Sequence, residues 1–123
     1  MDKKIDDNIP IYVQIMNSVK EAIAAGELRP SDRVPSVREL ARDFEVNPNT
    51  MQKALAGLER DELVYSVRTS GRFITEDKEM IEKMKENLAS EQIKYFLEKM
   101  ADMGFDYEMT LALLDKFRKE REK

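Results

Sequence analysis

Two helix starts stand eleven residues apart, at Ser36 and Asn47, and that spacing constrains the fold more than any other feature of the chain. Ser36-Val37-Arg38-Glu39 has the form of a capping box, in which a serine hydroxyl satisfies a free backbone N–H and the glutamate three residues on reaches back. Asn47-Pro48-Asn49-Thr50 joins an N-capping amide to a proline at the first helical position, where no N–H is needed. Only a short helix and a turn of about four residues fit between them. Val37, Leu40, Ala41 and Phe44 form the apolar face of the first helix, Arg38 and Arg42 share another side, and Val46 closes the turn. In the second helix Met51, Ala54, Leu55 and Leu58 form the buried stripe, leaving Asn49, Gln52, Lys53 and Ala56 directed outward. Two helices of this size and pattern predict a helix-turn-helix, with the second as the reading helix.

The flanking sequence fills out that unit. Tyr12, Ile15, Met16, Val19, Ala22 and Ile23 recur at helical spacing between Pro10 and Gly26, which predicts an amphipathic helix opened by proline and stopped by glycine. The prolines at 30 and 35 leave room in Leu28–Pro35 only for a turn and a very short strand. Leu63–Val67, the turn Arg68-Thr69-Ser70-Gly71, and Arg72–Ile74 predict a β-hairpin, which in this place is a wing. From about Lys78 to Met103 the chain is helical, and after Gly104 a last helix capped by Asp106 runs through Leu113 and Phe117. In the long helix Ile81, Met84 and Leu88 lie on one stripe, and Ile93, Phe96, Leu97, Met100 and Met103 on another about 100° away. Either that helix bends near Asn87 to Ser90 or its halves bury against different partners, and the second option is favoured. The expected fold is mainly α with a small β-wing: an N-terminal winged helix-turn-helix (1–75) and a two-helix C-terminal dimerisation tail (76–123).

Composition narrows the chemistry. With no cysteine and no histidine, disulfides, thiol nucleophiles, thiolate or imidazole metal sites and imidazole bases are excluded, and no spacing of the remaining residues pairs a nucleophile with a base. No enzyme activity, cofactor or metal is expected. The apolar stretches fall short of the roughly 20 residues of a membrane span, so a soluble, cytoplasmic protein is expected. The net charge is −4, but residues up to Thr75 hold 11 basic and 12 acidic groups, against 10 and 13 beyond it. A near-neutral domain binds DNA when its basic groups share one face, because phosphate contacts depend on the local field.

Pro10-Ile11-Tyr12-Val13-Gln14-Ile15, Val34-Pro35-Ser36-Val37-Arg38-Glu39-Leu40-Ala41 and Val46-Asn47-Pro48-Asn49-Thr50 resemble, in that order, the GntR family of transcription regulators. The Asn-Pro-Asn-Thr helix start and a tail of only about 48 residues resemble its YtrA subfamily. Two positions depart from the family pattern, which usually has glycine where Ser31 and Glu62 stand; both are places where the backbone often needs positive φ. The resemblance makes Arg38 a positioning arginine, assisted by Ser36, and implies control of a nearby transporter operon.

On the DNA, Asn49 and Gln52 are assigned to base edges, because amides pair bidentately with adenine. Asn47, Thr50 and the helix N-terminus suit a phosphate, with Pro48 counted among the DNA-binding residues at that helix start; Lys53 suits either base or backbone, and Arg68, Ser70, Gly71 and Arg72 the minor groove or its phosphates. Plainer readings stand beside these: Asn47 and Pro48 as a helix start, Arg42 as a solvated charge, Arg68 and Arg72 as edge-strand protection. The five methionines between Met80 and Met109 are read as adaptable interface packing rather than a ligand pocket. The leading expectation is a homodimeric repressor on an inverted-repeat operator, joined through Ile93, Phe96, Leu97, Met100, Met103, Leu113 and Phe117, with any small-molecule effector bound between subunits. The alternative is a winged-helix protein-interaction module with the acidic tail as its docking surface.

Overall fold

The computed structural model describes residues 9–122. Its elements in chain order are α1 (Ile11–Ala24), α2 (Val37–Phe44), α3 (Pro48–Arg60), β1 (Val64–Val67), β2 (Gly71–Ile74), α4 (Lys78–Asp102) and α5 (Tyr107–Arg121). Contacts divide the chain into two compact units, one ending at Lys85 and the other beginning at Glu86.

In the first unit α3 is central, packed against α1, α2 and β1. Its Met51, Ala54, Leu55 and Leu58 are fully buried, as the three- and four-residue spacing predicts. Ile15, Met16, Val19 and Ile23 of α1 and Leu40 and Ala41 of α2 close over that stripe. Each buried aliphatic side chain of this size contributes about 1.5–3 kcal/mol relative to exposure. Gly57 sits where α1 comes nearest: a Cβ there would lie 2.6 Å from the sulfur of Met16.

The strands pair antiparallel in the register Val64↔Ile74, Tyr65↔Phe73, Ser66↔Arg72 and Val67↔Gly71. Side chains alternate across the hairpin, so Val64 and Ile74 are buried while Tyr65 and Phe73 stack on the other face, their rings 5.8 Å apart. The Pro-bounded segment before α2 adds a third, very short edge: Arg33 bridges Phe73, Val34 N–H donates to the Arg72 carbonyl at 2.8 Å, and Ile74 N–H donates to the Asp32 carbonyl at 2.9 Å. The hairpin is thereby tied to the start of the helix-turn-helix.

Helices α1 to α4 all end in one hydrogen-bond pattern, in which a residue just past the end donates back to the carbonyl five residues before it, in the last turn. Glu27 N–H reaches Ala22, Val46 reaches Ala41, Leu63 reaches Leu58 and Phe105 reaches Met100, at 2.9–3.0 Å. The residue before each donor has positive φ. Glycine takes that position after α1 and α4, but Glu45 (φ 56°) and Glu62 (φ 64°) take it after α2 and α3. Ser31 is also left-handed, at φ 72°. Both places where the sequence departs from the glycine pattern of its resemblance thus keep the backbone geometry and accept the strain. A left-handed non-glycine residue costs about 1–2 kcal/mol, partly offset by the extra freedom glycine has when unfolded, about 0.4–1 kcal/mol. Glu62→Gly is therefore expected to stabilise the protein by about 0.5 kcal/mol, read as a rise in the urea midpoint.

Helix α4 runs unbroken through 25 residues, about 38 Å, and shows no interruption at Asn87 to Ser90. Ile81 and Met84, in its opening turns, are buried. In the second unit Asp106 caps α5 by accepting from Met109 N–H at 2.8 Å, and Thr110, 1 % exposed, donates its hydroxyl to the Asp106 carbonyl. No helix among the described residues is long and apolar enough to cross a membrane.

Candidate nucleic-acid interface

The N-terminal turn of α3 is built by Asn47 and Pro48. The Asn47 side chain accepts from Asn49 N–H at 2.7 Å, so its amide oxygen caps the helix and orders the turn. Asn49, Gln52 and Ala56 are exposed on the face opposite the buried stripe, with Pro48 exposed at the helix start and Thr50 half-buried beside it. Lys53 is exposed too, and its ammonium lies 4.4 Å from the centre of the Tyr12 ring on α1, a cation–π contact that holds the cation along the flank of α3.

At the start of α2 the capping box forms in both directions: Glu39 N–H donates to the Ser36 hydroxyl at 3.1 Å, and Ser36 N–H donates to the Glu39 carboxylate at 3.0 Å. The donation from the Ser36 backbone is the main cause holding the Glu39 carboxyl below its usual range. Arg38 is exposed in the first turn, and no ion pair among the described residues engages it. A guanidinium at that place is open to an outside anion.

The wing carries Arg68, Ser70 and Gly71 at its exposed tip. Arg72 has another occupation. It shares the inward face of β2 with Ile74, and its Nε donates to Glu59 Oε2 of α3 at 2.8 Å. Ser66, its cross-strand partner, donates its hydroxyl to the same oxygen. One carboxylate therefore fastens both strands of the wing to the last turn of α3. The hydrogen bond from Ser66, then the Arg72 guanidinium, hold the Glu59 carboxyl below the ordinary carboxylate range against the opposing effect of partial burial.

A depressed carboxylate pKa stabilises the fold at pH values above the unfolded value, about 4.3, and that contribution is lost as pH falls through the folded value. Glu59→Gln is expected to lower the unfolding free energy by about 1 kcal/mol at pH 7, with the gap from wild type closing below about pH 4; urea titrations across that range check it.

Two groups in this arrangement went unassigned in the sequence reading. Glu59 gives no local signal, since its partners lie seven and thirteen residues away. Arg33 does give one: Val34 is buried, so period-two alternation turns Arg33 outward. Its Nε donates to the Ser70 carbonyl at the wing tip, at 3.1 Å.

In the second unit the side chains assigned to a subunit contact lie open. Ile93, Phe96, Met103 and Phe117 are 40–64 % exposed, and Leu97, Met100 and Leu113 are half-buried. Tyr107, Met109, Leu111 and Leu114 on α5 are exposed apolar side chains as well, outside the set that the spacing pointed to.

Residues 11–74, from the first turn of α1 to the end of the wing, match the profile of the bacterial regulatory proteins, gntR family. The chain belongs to the gntR family. It is 35 % identical to the HTH-type transcriptional regulator YhcF of Bacillus subtilis, over 95 % of this chain and 97 % of YhcF. It is 39 % identical to the HTH-type transcriptional repressor YtrA of Bacillus subtilis, over 72 % of this chain and 68 % of YtrA. A solved GntR family transcriptional regulator from Listeria monocytogenes superposes with a TM-score of 0.80 at 39 % identity, covering 91 % of this chain and 98 % of that one. The winged helix-turn-helix of the gntR family is thus the architecture of the first unit, and the relatives are regulators, not enzymes.

Proposed function

We propose that the chain is a sequence-specific transcription regulator of the YtrA kind, a cytoplasmic repressor that binds an inverted-repeat operator as a homodimer. One observation carries the reading: Asn49 and Gln52 are exposed on the first turns of a helix whose opposite face is fully buried. Such a helix can enter a major groove with its amides toward base edges and its fold undisturbed. Arg38, Thr50 and the α3 N-terminus then meet phosphates, and Arg68, Ser70 and Gly71 approach the backbone or minor groove beside them. Ser36, Asn47 and Arg72 serve the site by holding α2, α3 and the wing in place. Lys53 stays at the edge of the groove.

The homodimer rests on the second unit. Many of its apolar side chains are exposed in one copy, and apolar surface left open in that number favours a partner. A second copy through Ile93, Phe96, Leu97, Met100, Met103, Leu113 and Phe117 covers it and gives the assembly the two-fold symmetry of an inverted repeat. A small effector, where one acts, binds between the two copies. Repression and the YtrA affiliation draw support from the helix-start motif and from the 39 % identity to a protein named as a repressor.

The test is selection of bound duplexes from a random pool. The expected product is a two-fold symmetric site bound with a steep loss of affinity as salt rises. Recovery of no preferred sequence would refute the reading.

A further inference from the structure

We infer that Arg33 is a phosphate-binding residue of the wing, held ready by the wing's own backbone; this rests on the DNA-binding reading above. Its segment pairs with β2, where it lies against Phe73 in register, and Phe73 lies against Tyr65. Arg33 therefore begins a cross-strand row on the face of the hairpin turned away from the core. From there its guanidinium extends to the tip, where Nε donates to the Ser70 carbonyl. A Cβ placed on Gly71 would meet Nε at 3.2 Å and one terminal nitrogen at 3.3 Å, so the group lies directly along the tip backbone. Glycine at 71 keeps that place open, with φ at 111°.

The bonding leaves the charge available. A guanidinium has five N–H donors and a full positive charge, and a neutral carbonyl takes one donor without cancelling the charge. No carboxylate among the described residues lies within ion-pair distance of Arg33; Glu39 feels its field only weakly, as the smallest of the effects on that carboxyl, and is held by Ser36. Arg72 is the contrast on the same hairpin, its Nε paired with Glu59. Arg33 and Arg68 thus place two positive groups at the wing tip. The Ser70 carbonyl also removes part of the rotamer freedom that a long side chain would lose on binding, which lowers the cost of an ordered phosphate contact.

The experiment measures affinity against salt for the full chain, Arg33→Gln and Arg33→Lys, on the duplex recovered by selection and on duplexes altered in sequence, with urea midpoints as the folding control. The expected result for Arg33→Gln is an unchanged midpoint, about tenfold weaker binding to every duplex and a salt slope shallower by about 1. Arg33→Lys keeps the charge and should keep most of the slope. Wild-type affinity and slope in Arg33→Gln would overturn the assignment. So would equal losses in both variants at an unchanged slope, the mark of a residue that only supports the wing, and so would a loss confined to particular sequences. Wild-type protein that prefers no duplex, or that ignores Arg38→Ala, would remove the regulator reading and this assignment together. Failure in Arg33→Gln alone removes only the assignment.

Discussion

Replacing Asn49 and Gln52 together by alanine is expected to abolish most of the protein's choice among DNA sequences while leaving its fold intact. A bidentate amide–base pair contributes about 1–3 kcal/mol of discrimination, so losing two should cut the preference for the selected duplex over a scrambled one by about 100-fold. Binding to the scrambled duplex, which depends on phosphates, should hardly change. Both side chains are exposed on α3, and alanine is the stronger helix former, so the urea midpoint should stay level or rise slightly. Affinity measured on both duplexes checks this, and an unchanged ratio would remove these two residues from base reading.

Leu55→Ala should have the opposite profile. Leu55 is fully buried at the centre of α3, between the helices that support it. Truncation there removes contacts and leaves a cavity, at a cost of about 3 kcal/mol, which is a large share of the 5–15 kcal/mol typical of a whole domain. The urea midpoint should fall sharply, and operator binding should fall only as far as the folded fraction does. Sequence preference measured on the folded protein should remain. Together the two variants separate the side of α3 that reads from the side that supports it, and similar profiles in both would contradict that division.

The supporting side was legible because helical periodicity and capping act over a few residues. Met51, Ala54, Leu55 and Leu58 are spaced for one face, and Ser36 and Asn47 cap helices where the sequence places the starts. Strand alternation carried more than was taken from it. Arg72 lies two residues from Ile74, so it shares that residue's inward face, and parity alone directs it toward α3 rather than the solvent. The acceptor it meets there could not be found the same way. Glu59 becomes its neighbour only after the chain has turned through the hairpin, and no local pattern encodes that return. The unbroken helix through Asn87 to Ser90 was likewise open between two readings, because a shift of apolar stripe fits a bend as well as a change of surroundings.

The left-handed glutamates show where local propensity yields to tertiary need. Glu45 and Glu62 take a conformation that glycine adopts more easily, because Val46 and Leu63 must turn back to close α2 and α3.

The carboxylate of Glu59 has a bearing on how the molecule meets a duplex. With Ser66 and Arg72 bound to the same oxygen, the distance from α3 to the hairpin is set before any ligand arrives. On the DNA-binding reading proposed above, a preshaped pair of this kind would engage groove and backbone as one rigid body, with little chain entropy left to lose at the moment of contact.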